Sequence, residues 1–195
     1  MSQIEYSEIQ GLMFGGYSSM RYCTYYLLKI EAPETAKSWL RTQLGLVWFD
    51  SKKPDKEAKI YNLAISHSGF NKLGIEAKDL ASFEPAFQEG MHSSFRSNLI
   101  GDKEGSSNAP QHWLWGNESR QVDLLLLVFS NDKNTEHFNN SGLTVVHTVD
   151  ADTPDKTDPS YGKEHFGFAD GLSNPSIVGF PDAREKRQEI ATGEF

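Results

Sequence analysis

An α+β fold is predicted by three features of this 195-residue sequence. Four apolar runs have strand length: Tyr22–Ile30, Ile60–Ile65, 122–129 and 143–149. Stretches with helical spacing alternate with them. Read in order, the chain is strand, helix, strand, then strand, helix, strand, with a helical and loop insertion at 67–121 between its second and third strands. That order is ferredoxin-like: an antiparallel sheet with helices on one face.

The elements are justified in turn. The segment 9–17 is apolar but broken by Gly11, Gly15 and Gly16, so it reads as an extended or looping piece packed on the body. Aromatic and aliphatic residues crowd Tyr22–Ile30, the composition of a buried strand. Pro33 stands in the first turn of a helix among acidic residues; Ala36, Leu40 and Leu44 share one face, and Gly45 ends it. A charged stretch with Pro54 makes 51–59 an exposed loop. The run Ile60–Ile65 is the second strand, and 68–75 is a short helix closed by glycine. Phe83, Phe87, Met91 and Phe95 recur every four residues, an amphipathic helix interrupted at Pro85 and weakened by Gly90. A polar loop with Trp113 and Trp115 fills 101–121. The third strand is almost continuously apolar, hence central. Asn131 or Asp132 caps a second helix running to about Asn140, and Gly142 precedes the fourth strand. Beyond Val149 no period returns until 184–190, which reads as helical. The helices cover one face of the sheet. The other face needs a partner that this chain does not supply.

Bulk composition narrows the function. A net charge of -8 argues against a nucleic-acid partner, because no basic stripe is available to neutralise phosphates. Cys23 is the only cysteine, which removes intrachain disulfides and multi-cysteine metal sites. No apolar run is long enough to span a bilayer, and the polar, acidic start lacks the pattern of a signal peptide, so the cytoplasm is the expected compartment. The close, Ala191-Thr192-Gly193-Glu194-Phe195, reads as a chain that stops inside a longer protein.

The segment 164–175, EHFGFADGLSNP, fits neither a helical nor a strand period. Its glycines bracket Phe168 and Asp170, and glycine permits backbone geometry and close approach denied to other residues. The stretch therefore presents one carboxylate beside a large flat or apolar object. Taken without its flanks, Asp170 reads first as a turn-capping residue among Gly171 and Ser173.

Here the chain resembles the dye-decolorizing peroxidases. The family mark Gly-x-x-Asp-Gly is met by Gly167-Phe168-Ala169-Asp170-Gly171, within the longer and more specific 166–175. Further segments resemble the family in the right order: 9–17, 62–75, 99–102 with 112–116, and the closing Gly193-Glu194-Phe195. The resemblance implies one half of a dimeric α+β barrel-type haem peroxidase that binds haem b, reduces hydrogen peroxide and oxidises a reducing organic substrate such as a dye or phenol. It implies that 1–150 is the ferredoxin-like domain. It makes 151–195 the distal haem loop and the start of a linker to a second half. Asp170 then has the role of distal acid–base group, with Phe168, Ala169, Gly171, Leu172, Ser173 and Asn174 bordering the haem. The axial histidine and the distal arginine are expected beyond Phe195, so no metal ligand is assigned among His67, His92, His112, His137, His147 and His165.

Two other readings stand beside this one. The chain is alternatively a non-catalytic ferredoxin-like module that pairs with a missing C-terminal half or another chain. A third reading is a monooxygenase-like α+β homo-oligomer, whose open sheet face closes against a second copy. No membrane or nucleic-acid partner is expected in any of them.

Overall fold

A computed structural model describes residues 5–17, 19–49, 52, 54–55, 59–133 and 135–169, and the backbone of 176–177 and 189–190. The sheet strands are β1 (Tyr22–Ile30), β2 (Ile60–Ile65), β3 (Leu124–Ser130) and β4 (Leu143–Asp152). They lie in the order β2-β3-β1-β4 with every pairing antiparallel, the ferredoxin-like arrangement. The most apolar strand, β3, is indeed interior, between β2 and β1. β4 continues past Val149 to Asp152.

Alternation along the strands separates two faces. Tyr26, Leu28 and Ile30 of β1 and Leu124, Leu126 and Val128 of β3 point to one side and form the main core. Register places Leu28 opposite Leu124 and Tyr26 opposite Leu126, so the largest side chains meet directly. Helix α1 (Pro33–Gln43) covers this face with Ala36, Trp39 and Leu40. Pro33 stands in its first turn, where a missing N–H costs nothing.

The expected second helix does not form. Among the described residues of 131–142 the chain is turn and loop. The physical reason is that its capping and backbone groups are used elsewhere. The Asn131 side chain accepts from the Arg21 N–H at 2.9 Å and donates to the Ser19 carbonyl at 3.1 Å. Glu136 N–H donates to the Tyr26 hydroxyl, while its carboxylate accepts from Tyr61 Oη and Lys59 Nζ, both at 2.6 Å. Asn140 adopts a left-handed backbone, φ 56°, at the end of the loop. Phe138 supplies the apolar cover that a helix would give, edge-on to Tyr26 at 5.3 Å and tilted against Trp39 at 5.7 Å.

The opposite sheet face is not bare. Tyr17 and Met20, with partly buried Leu12, pack on Ile60 and Phe129. The N-terminal segment thus takes part of the partner's place. It also seals the β2 edge: the Gln10 side chain donates to Leu63 O and accepts from Leu63 N–H, both at 2.8 Å. The 46–49 stretch lies beside this edge through single bridges of Val47 to Tyr61 and Phe49 to Gln10.

The insertion differs from a single amphipathic helix. It holds α2 (His67–Lys72), α3 (Ala77–Leu80), α4 (Pro85–Glu89) and α5 (Ser94–Leu99). Pro85 opens α4, Gly90 at φ 70° closes it, and Ser93 Oγ caps the next helix by accepting from Arg96 N–H. The four-residue aromatic stripe is accordingly split. Phe83 and Phe87 pack on Phe70 of α2, whereas Phe95 stays 62% exposed. After β4, strands β5 (Ser176–Ile177) and β6 (Glu189–Ile190) pair in parallel. Glu189 and Ile190 are therefore extended, not helical, and 184–188 lies outside the described residues.

Candidate functional site

The motif segment is approached through a tight hairpin. Lys163 and Ala169 form an antiparallel bridge, Glu164 N–H donates to Phe168 O at 2.7 Å, and Gly167 N–H donates to Glu164 O at 2.8 Å. Gly167 closes the turn at φ +87°, a conformation that a Cβ disfavours. The glycine is therefore used for turn geometry. Nothing among the described residues crowds its Cβ position.

This hairpin displays two phenylalanines. Phe166 is 83% exposed and Phe168 is 73% exposed, the two largest exposures among the large hydrophobic residues described. His165 lies beside Phe166, ring edge to ring face at 6.1 Å, and is itself exposed. Ala169 sits at the end of the bridge, also exposed. Asp170, Gly171, Leu172, Ser173 and Asn174 lie outside the described residues. The structure thus positions the stem that carries the carboxylate and two of the haem-bordering residues inferred from sequence.

Two exposed phenyl rings flank a glycine turn, with the His165 ring beside Phe166, which leaves apolar surface suited to the face or edge of a flat macrocycle. No three His, Cys, Asp or Glu side chains converge among the described residues. The histidines are dispersed. His67 stands at the start of α2 with its ring edge-on to Phe87, and His147 is on β4 opposite Leu27. Of the tryptophans, Trp113 donates its indole N–H to Asn108 O at 2.9 Å, a packing role, and Trp115 is exposed.

The chain is similar to known peroxidases in sequence and in fold. The chain is 34% identical over 134 residues to the dye-decolorizing peroxidase msp1 of Mycetinis scorodonius, covering 65% of this chain and 24% of that protein. It is 32% identical over 139 residues to peroxidase 2 of the same fungus, covering 69% and 26%. The chain is similar to the dye-decolorizing peroxidases. The fold agrees as well. A dye-decolorizing peroxidase structure from Auricularia auricula-judae superposes with a TM-score of 0.70 at 18% identity, over 97% of this chain and 42% of that one. Another dye-decolorizing peroxidase, in complex with cyanide, gives 0.71 at 17% identity over 98% and 44%. No family model matches the chain. The chain spans about a quarter of the length of the curated dye-decolorizing peroxidases it matches and less than half of the solved ones.

Two structural features escaped the sequence reading. One is the buried carboxylate of Asp123, which fastens the insertion to the sheet. The other is a groove of about 650 Å³ inside the insertion, lined by polar side chains from α5 and the 104–119 loop. Asp123 had one visible signal, a charge at the mouth of an apolar strand. The groove had none, since its lining is a scatter of polar residues with no period, which reads as loop.

Proposed function

We propose that this chain forms one wall of a haem b pocket in a peroxidase that reduces hydrogen peroxide and oxidises dyes or phenolic substrates. The supporting observation is the glycine-turned hairpin 163–169, which leads into the Gly167–Gly171 motif on a fold shared with dye-decolorizing peroxidases. In this reading 1–150 is the ferredoxin-like domain and 151–195 the distal loop. A second half provides the axial histidine, the distal arginine and the other wall.

Each residue has a physical task. Phe166 and Phe168 lose their exposed apolar surface against the ring and exclude water beside it. Leu172 extends the apolar border, and Gly171 lets backbone approach closely. The Asn174 amide donates toward a propionate, next to Ser173. The iron supplies the redox chemistry when haem is bound. The Asp170 carboxylate takes a proton from one peroxide oxygen and returns it to the other, which leaves as water. A carboxylate does this in acid, where an imidazole base is already protonated: an unperturbed aspartate titrates near ~3.9 and a histidine near ~6.5.

The test uses the protein as expressed whole from its own gene and reconstituted with haem. Expected is peroxide-dependent bleaching of an anthraquinone dye with an acidic optimum, and a fall of roughly 10²–10⁴-fold in Asp170→Asn. A haem-loaded protein that bleaches nothing overturns the peroxidase reading. Full activity in Asp170→Asn overturns the role of the carboxylate. A sharp Soret band and dye bleaching from residues 1–195 alone would show that no second half is required.

A further inference from the structure

We propose that Asn139, in the loop before β4, is the attachment site of an N-linked oligosaccharide. The sequence contains three Asn-x-Ser triplets, starting at Asn117, Asn139 and Asn174, the pattern of an N-glycan acceptor. Pro175 at the middle position disqualifies the third. The structure separates the other two. Asn117 is buried and its amide is fully used. Nδ2 donates to Pro110 O at 3.0 Å and to Trp113 O at 3.1 Å, while Oδ1 accepts from Ser119 Oγ and Arg120 N–H. A glycan replaces one of the two amide hydrogens with a bond to carbon and sets a sugar ring against that nitrogen. One of the two carbonyls would lose its donor, and a bulky polar ring has no place at a buried amide. A chain modified at Asn117 therefore cannot close the 110–120 loop as it stands.

Asn139 is the opposite. It is exposed, and its side chain makes no hydrogen bond or ion pair among the described residues. It stands in a turn at 139–142, where Asn140 and Gly142 have φ of 56° and 72°. Glu136 and Phe138 hold this loop to the sheet, so a sugar on Asn139 costs none of those contacts. Ser141, the third residue of the triplet, is fully buried. Its hydroxyl donates to Phe138 O at 2.6 Å and accepts from Leu143 N–H at 3.1 Å. The triplet is thus readable only before the turn closes, and the modification must precede folding of the loop. The donor is a lipid-diphosphate-linked oligosaccharide. The Asn139 amide nitrogen bonds to the anomeric carbon, gives up one proton, and the lipid diphosphate departs from that carbon. No electrons are exchanged. The compartment this implies is the secretory pathway, in place of the cytoplasm expected from the polar start.

The site is independent of haem binding and of the peroxidase reading, so it is tested without either. The full chain is translated behind a cleavable secretory leader in the presence of microsomes, and the folded product is mapped by peptide mass before and after endoglycosidase treatment. One glycan is expected, on Asn139. Asn139→Gln should abolish the mass shift and unfold in urea at the same midpoint as the deglycosylated parent, since the side chain it replaces holds nothing. Chain folded beforehand and then given to detergent-opened microsomes should stay unmodified, because Ser141 is closed off. Whole protein purified from its own source should carry the same glycan. An unmodified Asn139 in the microsomal product or in the natural protein would overturn the proposal. A glycan on Asn117 of the folded product would overturn the structural distinction between the two triplets, and efficient modification of prefolded chain would overturn the order of events.

Discussion

Lys72 Nζ lies 2.6 Å from Asp123 Oδ2, a carboxylate with no solvent exposure at the mouth of β3. The same carboxylate accepts from Ile30 N–H and Ser68 Oγ, both at 2.8 Å, and the Asp123 carbonyl accepts from Ser66 N–H at 3.0 Å. One residue therefore satisfies the end of β1, the cap of α2 and the last turn of that helix. Charge and donors together make burial tolerable, because an ion without partners would cost several kcal/mol.

Asp123→Ala should consequently strip partners from Lys72, Ser68 and Ile30 N–H at once. The expected loss is about 3–5 kcal/mol, read from the midpoint of urea unfolding. Lys72→Met should cost less, since Ser68 and Ile30 still donate to the carboxylate and the lysine is partly exposed. Gly69 gives a second handle on the same joint. A Cβ there would lie 2.1 Å from Asp123 O, so Gly69→Ala should destabilise by at least about 1–3 kcal/mol. Gly45→Ala meets nothing within 4 Å and should be neutral or slightly stabilising.

The loop that replaces the second helix makes its own prediction. Phe138 contacts both Tyr26 and Trp39, and Glu136 binds Tyr61 and Lys59. Phe138→Ala should cost about 3 kcal/mol, the lower end for an aromatic truncation because the ring is only partly buried. Glu136→Gln keeps the shape and loses the charge, so its smaller loss should shrink further in high salt. Equal effects of both variants would mean that the loop is held by its polar latch alone.

Alkaline pH should destabilise the sheet progressively. Burial pushes the Cys23 thiol from 9.0 up to about 11, and burial followed by the Glu136 carboxylate raises Tyr61. Burial also raises Tyr17 and Tyr25. In each case the folded state keeps a proton that the unfolded chain releases first. These contributions to stability are complete below the unfolded values and are lost as pH climbs through the folded ones. Thermal midpoints should fall from pH 9 to 11, and Cys23→Ala should flatten that part of the profile. A midpoint constant to pH 11 in the parent would contradict it. The thiol should also resist alkylation at pH 8, being both buried and protonated.

How much of this was legible depends on the range of the interaction involved. β1 and β3 were readable because a crowded run of aromatic and aliphatic residues is a local signal, and Leu28 faces Leu124 between two such runs. The helix expected from Asn131 failed because that side chain bonds to Arg21 and Ser19, 110 and 112 residues away. No local propensity reports such a partner. Gly90 and Pro85 were visible as interruptions, yet whether they bend or end a helix was decided by Ser93, which caps a new one. At the candidate site the motif was legible as a pattern of glycines and an acid. Its turn, with Gly167 closing a hairpin between Lys163 and Ala169, was not, since a glycine in sequence does not state the sign of its φ.

That turn can be separated from the stability of the sheet. Gly167→Ala adds a Cβ into open space, so its cost is conformational, roughly 1–2 kcal/mol for an L-residue held at φ +87°. The residues 153–169 are exposed, and a lone hairpin is marginal in water, so the loss falls on the hairpin and not on the core. Global urea unfolding should stay within about 0.5 kcal/mol of the parent. Limited trypsin cleavage after Lys163, inside the hairpin, should quicken several-fold. On the proposed haem-peroxidase role, dye bleaching by the haem-loaded whole protein should fall alongside, because Phe168 O no longer accepts from Glu164 N–H in the hairpin. Gly167→Asn should rescue part of both losses, asparagine being the side chain that best tolerates a left-handed backbone. If alanine slows bleaching without quickening cleavage, the glycine acts through close approach to the haem and not through the turn.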